Sequence, residues 1–463
     1  GEMARDRSVF ACTECGAQSP RWLGRCPACG GWSTLVEEIR SAGAEAGTGG
    51  PMLSQLGEAT GPVALGDLAA DEVPRMGTGL GEFDRVLGGG LVPGSVVLLG
   101  GEPGIGKSTL ALQLAASLQR SGRTVLYITG EESPQQIRLR AQRLPDVPPD
   151  LLLMAETRAE ALAEPWQKLS PSLVIVDSIQ TLRTDRVESA AGSVAQVREC
   201  ASLLAAAAKT SGAALCLIGH VTKEGALAGP RVLEHLVDAV LTFEGDRGHP
   251  YRILRATKNR FGSTDELGVF TMTERGLDVV ENPSELFLAE RRADAPGSCI
   301  TPMMEGTRPL LLEIQALLAP AGYGTARRTA LGFDDGRLAL LLAVLERRGG
   351  VDVLGCDVYL NVTGGVRIGE PAADLAVALA VASSRLDLAL PADTVALGEI
   401  GLGGEIRRVG RLEPRLAEAA RLGFRRALVP ASLVEAARRS SIECVPVPDV
   451  AAAIGWLREA GKR

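Results

Sequence analysis

The chain has 463 residues, a length that at roughly 150 residues per domain predicts about three domains and room for at least one large core. Its 46% apolar and 23% charged residues are ordinary for a globular protein in water, and no run approaches the ~18 uncharged apolar residues of a membrane span. The net charge of −7 excludes a global positive field, so any affinity for nucleic acid must come from local basic surface. No apolar h-region follows the polar residues 1–7, and we expect a cytoplasmic protein without a membrane partner. Arginine is the default cation. Only six of the 49 basic residues are lysine, so a lysine inside a motif carries extra weight where a compact point charge is required.

Nine cysteines divide unevenly along the chain. Cys12, Cys15, Cys26 and Cys29 fall in the pattern C-x2-C-x10-C-x2-C, whereas Cys200, Cys216, Cys299, Cys356 and Cys444 are scattered. Two C-x2-C turns each present two sulfurs to one tetrahedral ion, which predicts a Zn2+ site and not a disulfide framework. So short a module buries too little apolar surface to fold alone, and the metal supplies the missing free energy. Residues 1–38 are therefore expected to form a C4 zinc module. Residues 39–75, small, Gly/Ala-rich and poor in aromatics, read as a flexible linker.

Over residues 76–285 short apolar runs alternate with helical stretches: Val96 to Leu99, Val125 to Thr129, Leu173 to Val176, Leu215 to Gly219, Ala239 to Phe243 and Arg252 to Thr257. That alternation predicts an α/β fold, a largely parallel sheet with helices on both faces. Between the first run and the helical Leu110 to Leu118 lies Gly101-Glu102-Pro103-Gly104-Ile105-Gly106-Lys107-Ser108-Thr109, which fits the P-loop pattern G-x4-G-K-[ST]. Its glycines let backbone N–H groups turn inward on the phosphates of ATP. Lys107 brings a point charge to the β and γ oxygens, and Ser108 reaches Mg2+. Leu173 to Val176 ends in Asp177, the expected second contact to Mg2+. Val125 to Thr129 ends in Gly130-Glu131-Glu132, two carboxylates at the ligand-binding edge of such sheets. One can deprotonate the attacking water; Glu131 is preferred, with Glu132 in reserve. Leu215 to Gly219 ends at His220, placed to hydrogen-bond a γ-phosphate.

The zinc module CTEC…CPAC, the stretch TGLGEFDRVLGGGLVPGSVVLLGGEPGIGKST, the segment GHVTKEGALAGPRVLEHLVDAVLTFEGD and the pentapeptide Lys258-Asn259-Arg260-Phe261-Gly262 together carry a resemblance. Over essentially its whole length the chain resembles the bacterial RadA (Sms) family of recombination and repair ATPases, with KNRFG its most specific mark. The resemblance implies a RecA-like ATPase core, a hexameric ring, ATP-driven movement on single-stranded DNA, and processing of branched intermediates with the RecA recombinase. Read without the family, Lys258 and Arg260 are spaced i, i+2 on an extended segment, so both side chains leave one face and call for an anion. In RecA-like motors such a pair reaches the γ-phosphate of the neighbouring subunit and stabilises transition-state charge. DNA phosphate is the rival ligand.

Residues 286–463 are similar to the proteolytic domain of Lon through Gly364 to Asp374 and Gly398 to Glu413. Where Lon-type proteases use a serine activated by a lysine, this chain has Ala372 and Glu413. A methyl group cannot attack a carbonyl, so the expectation is an inactive, Lon-like α/β scaffold. Nine arginines between Gly403 and Ser440 (407, 408, 411, 415, 421, 425, 426, 438 and 439), extended by Arg327, Arg328, Arg347 and Arg348, make a candidate DNA surface, unless they pair with glutamates on their own helices. Aromatic residues are only 3% of the chain, which favours phosphate contacts over base stacking. The expected function is a DNA-stimulated ATPase that translocates on single strands and branch-migrates recombination intermediates. A strand-exchange protein and an ATP-regulated binding module without motor action remain alternatives, and an ATP-dependent protease is disfavoured.

Overall fold

The computed structural model describes residues 7–12, 18–27, 30–32, 34–40, 74–220, 232–245, 251–293, 295–322 and 325–461. The chain divides into two compact units, Gly1–Val280 and Glu281–Arg463. The division falls five residues before the boundary expected at 285, because a short helix there belongs to the second unit. Its Ser284 hydroxyl accepts a hydrogen bond from Leu311 N at 3.1 Å, and its Phe287 is buried. The linker expected at 39–75 lies mostly outside the described residues.

The first unit opens with β1 (Arg7–Cys12), β2 (Gln18–Ser19) and β3 (Leu35–Arg40), an antiparallel sheet in the order β2-β1-β3. Cys12 and Cys26 are buried beside Leu35, with Phe10 and Leu23 packed against them.

A nine-stranded sheet follows, built from β4 (Val96–Gly101), β5 (Val125–Thr129), β6 (Leu152–Ala155), β7 (Leu173–Asp177), β8 (Ala214–Ile218), β9 (Ala239–Glu244), β10 (Tyr251–Asn259), β11 (Leu267–Thr273) and β12 (Gly276–Val279). Their order is β12-β11-β10-β9-β4-β8-β7-β5-β6. The six from β9 to β6 are mutually parallel, and β10, β11 and β12 add antiparallel to one edge. Every residue of β4, β5, β7 and β8 is buried, as strands covered on both faces must be. Val97 and Leu99 pack with Phe83 of α1 (Gly81–Leu87) and with Leu110 and Leu114 of α2 (Lys107–Arg120). Val96 and Leu98 face the other way, onto Trp166 of α4 (Ala163–Leu169) and onto Val197, Cys200 and Leu204 of α5 (Val194–Ser211). Between them, α3 (Pro134–Ala141) starts at a capping box in which Ser133 and Gln136 satisfy each other's backbone N–H groups.

The second unit holds a seven-stranded mixed sheet of β13 (Ser298–Glu305), β14 (Arg308–Pro320), β15 (Arg328–Leu331), β16 (Cys356–Val362), β17 (Thr394–Ala396), β20 (Arg426–Pro430) and β21 (Glu443–Val447), ordered β15-β16-β14-β13-β17-β20-β21, with β18 (Glu399–Ile400) and β19 (Ile406–Arg407) as a separate pair. The helix Asp374–Leu386 packs on β14 and β13 and is buried along ten consecutive residues, Asp374 to Ser383, too wide an apolar surface for an amphipathic surface helix.

Candidate nucleotide site

The carboxyl ends of β4, β8, β7 and β5 bring the nucleotide-site residues of the sequence together. β4 runs into the loop Gly101–Gly106, where Gly104 (φ 79°) and Gly106 (φ 116°) take backbone angles that side-chain-bearing residues rarely adopt. This shape starts α2 at Lys107 with Ser108 and Thr109 in its first turn, leaving backbone N–H groups for an anion. Lys107 is 4% exposed, and its ammonium donates to the carbonyls of Gly101 at 2.7 Å and Glu102 at 2.9 Å. Burial lowers its pKa despite the opposing pull of Asp177 and Glu131. A cation held on two backbone carbonyls inside the loop is ready to exchange them for phosphate oxygens.

β8 lies between β4 and β7, so His220, two residues past the end of β8, stands between the P-loop strand and Asp177. Asp177, buried at the end of β7, accepts a hydrogen bond on Oδ2 from Tyr127 OH at 2.7 Å. Its Oδ1 takes none among the described residues. Burial, reinforced by this carboxylate, pushes the Tyr127 phenol well above its ordinary range, so Tyr127 stays a donor. Thr129 pairs with Asp177, and Gly130 N donates to Asp177 O at 2.9 Å, which sets Glu131 just beyond the aspartate. Glu131 Oε1 accepts from Ser178 Oγ at 2.5 Å and lies 3.1 Å from His220 Nε2. Burial raises its pKa, but these two contacts and the more distant charge of Lys107 outweigh it and hold the carboxyl below its usual range.

The two adjacent glutamates separate here. Glu132 turns to α3, where Arg140 pairs with its Oε1, and its backbone is tied to the Thr129 hydroxyl. Glu131 alone joins Ser178 and His220. Sequence reasoning missed Tyr127, Ser178 and Arg140. Tyr127 reads as one more apolar strand residue, and no local pattern marks the other two.

Lys258 and Arg260 lie elsewhere. Lys258 pairs with Val240 of β9, which pairs with Leu98; Arg260 N donates to Asp238 O at 2.9 Å, and Asp238 N to Val96 O at 2.8 Å. Arg260 is thus level with the start of β4, while the P-loop leaves its end. Five residues at about 3.3 Å separate them by roughly 16 Å. Both cations are engaged within the chain. Lys258 Nζ donates to Glu234 O and, at 2.8 Å, to Val237 O; the Arg260 guanidinium pairs with Asp238 at 3.1 Å. Burial, helped by Arg260, lowers the Lys258 pKa.

In the second unit Ala372 is buried (3% exposed) just before the helix Asp374–Leu386, and Glu413 lies exposed in the first turn of the helix Leu412–Arg421. The candidate DNA surface needs one correction: Arg415 is 3% exposed, because its guanidinium grips both oxygens of Glu370 at 2.6 Å and also donates to Pro302 O and Gly410 O. Arg407, Arg421, Arg426 and Arg438 pair with Glu405, Glu418, Glu443 and Glu435, and Arg411 donates to Gly306 O. Arg408, Arg425 and Arg439 are exposed without a side-chain partner among the described residues.

An AAA domain matches residues 82–226, a rubredoxin metal binding domain residues 10–37, and subunit ChlI of Mg-chelatase residues 355–432. These identify the cofactors as ATP with Mg2+, and Zn2+. The P-loop with its buried lysine fits the first pair. The buried thiols of Cys12 and Cys26 fit the third by donor chemistry; Cys15 and Cys29 lie outside the described residues. No helix among the described residues is long and apolar enough to cross a membrane. The chain is 51% identical to the DNA repair protein RadA of Bacillus subtilis (strain 168) over 98% of its own length and 99% of that protein's. It is 52% identical to the DNA repair protein RadA of Brucella abortus (strain 2308), with 92% of each covered, and 49% identical to that of Streptococcus pyogenes serotype M1, with 94% of each covered. At this identity and coverage the chain belongs to the RadA family of DNA repair proteins, as a DNA repair and recombination ATPase with a RecA-like P-loop core, an N-terminal zinc module and a C-terminal Lon-like domain.

Proposed function

We propose that the protein is a DNA-stimulated motor of homologous recombination, a hexameric ring that hydrolyses ATP to translocate on single-stranded DNA and branch-migrates recombination intermediates with the RecA recombinase. In this reading the backbone from Gly101 to Thr109 cradles the phosphates and Lys107 neutralises the β and γ oxygens. Ser108 and Asp177 hold Mg2+, Glu131 takes the proton of the attacking water, and His220 lies against the γ-phosphate. Cys12, Cys15, Cys26 and Cys29 hold Zn2+. Lys258 and Arg260 act in trans on a neighbour's nucleotide.

The observation that carries the reading is the separation of the two cationic elements. Arg260 is roughly 16 Å down the strands from its own P-loop, beyond the reach of its side chain. A role at a nucleotide then requires a second copy of the chain, which ties hydrolysis to ring assembly. To serve there, Arg260 must exchange Asp238 for phosphate, and Lys258 two backbone carbonyls. DNA stimulation would be seen as a higher ATP turnover with single-stranded oligonucleotide present.

Mixing tests it. Lys107→Ala and Arg260→Ala, each deficient in ATP turnover alone, should partly complement when combined, because some interfaces then join an intact P-loop to an intact finger. Nearly normal basal turnover by Arg260→Ala, with weaker DNA binding and no rescue, would move the pair from the nucleotide to the DNA. Strand displacement on forked and three-stranded substrates separates the motor from an ATP-regulated binder.

A further inference from the structure

Reading Glu131 as the base leaves open what aims it. A carboxylate on a flexible stem presents either oxygen in many directions, and general-base catalysis depends on one oxygen meeting the water at hydrogen-bond distance. Here the two oxygens are unequal. Oε1 accepts from both Ser178 Oγ and His220, whereas Oε2 has no hydrogen-bond partner among the described residues and belongs to a side chain that is 41% exposed.

The donor side is rigidly built. Ser178 is wholly buried, and its carbonyl is clamped by the backbone N–H and the hydroxyl of Thr181, at 3.2 and 2.8 Å. Thr181 in turn packs on the strand end that carries Glu131. A Cβ added to Gly130 would stand 1.9 Å from Thr181 Oγ1, so only glycine allows this approach. A serine hydroxyl has one proton, and Ser178 donates it to Glu131. The second donor follows from the histidine's geometry. His220 Nδ1 is buried without a partner among the described residues, while Nε2 faces a carboxylate. A carboxylate oxygen can only accept, so Nε2 is the donor in this contact.

We propose that Ser178 is a positioning residue for ATP hydrolysis: together with His220 it occupies Oε1 of Glu131 and so leaves Oε2 as the oxygen that takes the proton of the attacking water. The proposal rests on Glu131 being the base. It gives Ser178, beside the expected magnesium contact Asp177, a task separate from the metal.

The test uses the full chain in steady-state and single-turnover ATP hydrolysis. Ser178→Ala should lower kcat about tenfold with KM for ATP within about twofold, and Ser178→Thr should restore most of the loss. In a Glu131→Gln background the same substitution should add nothing to the residual rate, because there is no base left to aim; a purely structural role would cost the same factor in both backgrounds. Ser178→Cys, which nearly keeps the volume but donates only weakly, gives the same coupling test if Ser178→Ala folds poorly. Unchanged or faster turnover by Ser178→Ala overturns the proposal, the faster case meaning that the bonds restrain Glu131. An equal loss in the Gln background also overturns it. Normal turnover by Glu131→Gln itself would instead remove the base assignment, and this inference with it.

Discussion

The two units treat the charges at their strand ends in opposite ways. At the strand ends of the ATPase unit the charges are left with capacity to spare. Lys107 rests on carbonyls it can exchange, Asp177 keeps Oδ1 open, and Glu131 keeps Oε2 open. At the corresponding strand-to-helix junction of the Lon-like unit the charges are closed off by the protein. Asp374, fully buried, accepts from Arg337 Nε at 2.6 Å and from Ile400 N at 3.0 Å, while Glu370 is gripped by Arg415 and also accepts from Met304 N at 2.8 Å. Between these pairs sits Ala372, where a protease would carry its nucleophile. Open valence marks a site that waits for ligand, and closed valence marks a scaffold.

The contrast is easiest to break at the ATPase site. Lys107→Ala should abolish ATP turnover, since the loop loses its buried cation in ground and transition states alike, and a coupled-enzyme ATPase assay reads the loss; wild-type turnover would show that the loop's charge is not in use. The Lon-like unit should respond in stability instead. Arg415→Ala leaves Glu370 as an unpaired, mostly buried carboxylate and should destabilise that unit by about 3–5 kcal/mol. Thermal unfolding followed by calorimetry measures it. A shift near zero would mean that the pair is solvated and that this site, too, has charge in reserve.

The sequence makes legible whatever is local in the chain. Period, strand length and glycine spacing placed β4, β5, β7, β8 and β9 within a residue or two at each end, but started the helix after β4 at Leu110, three residues after Lys107, which heads it. What depends on distant pairing stays hidden. Glu131 and Glu132 are equivalent in sequence and are told apart by Ser178, 47 residues on, and by Arg140 on α3. The level of Arg260 along the sheet follows from an antiparallel strand returning beside β9, which no run of residues announces. Arg415 sits in a basic stretch and reads as surface, because its partner Glu370 lies 45 residues upstream.

The smallest expected effect sharpens the comparison furthest, because each unit carries its own buried thiol. Burial pushes Cys216 of β8 up to about 12, with Asp177 adding to the rise, and pushes Cys299 of β13 to about 12 as well, against a slight opposing pull from Arg291. The reactive species is the thiolate, so at pH 8 only roughly one molecule in 10⁴ carries it at either site in the folded state. Raised pKa and burial act together: neither cysteine should react with iodoacetamide unless its unit opens. Arg415 Nη1 donates to Pro302 O on the same strand as Cys299, at 2.8 Å. Arg415→Ala should therefore speed alkylation of Cys299 in low guanidinium, read by peptide mass spectrometry, and leave Cys216 unchanged. Local opening raises labelling by the factor its free energy sets, so even 1.4 kcal/mol gives tenfold. A parallel rise at Cys216 would mean that the two units open as one cooperative block, and the division of labour between reserve charge and closed charge would then not be a division of stability.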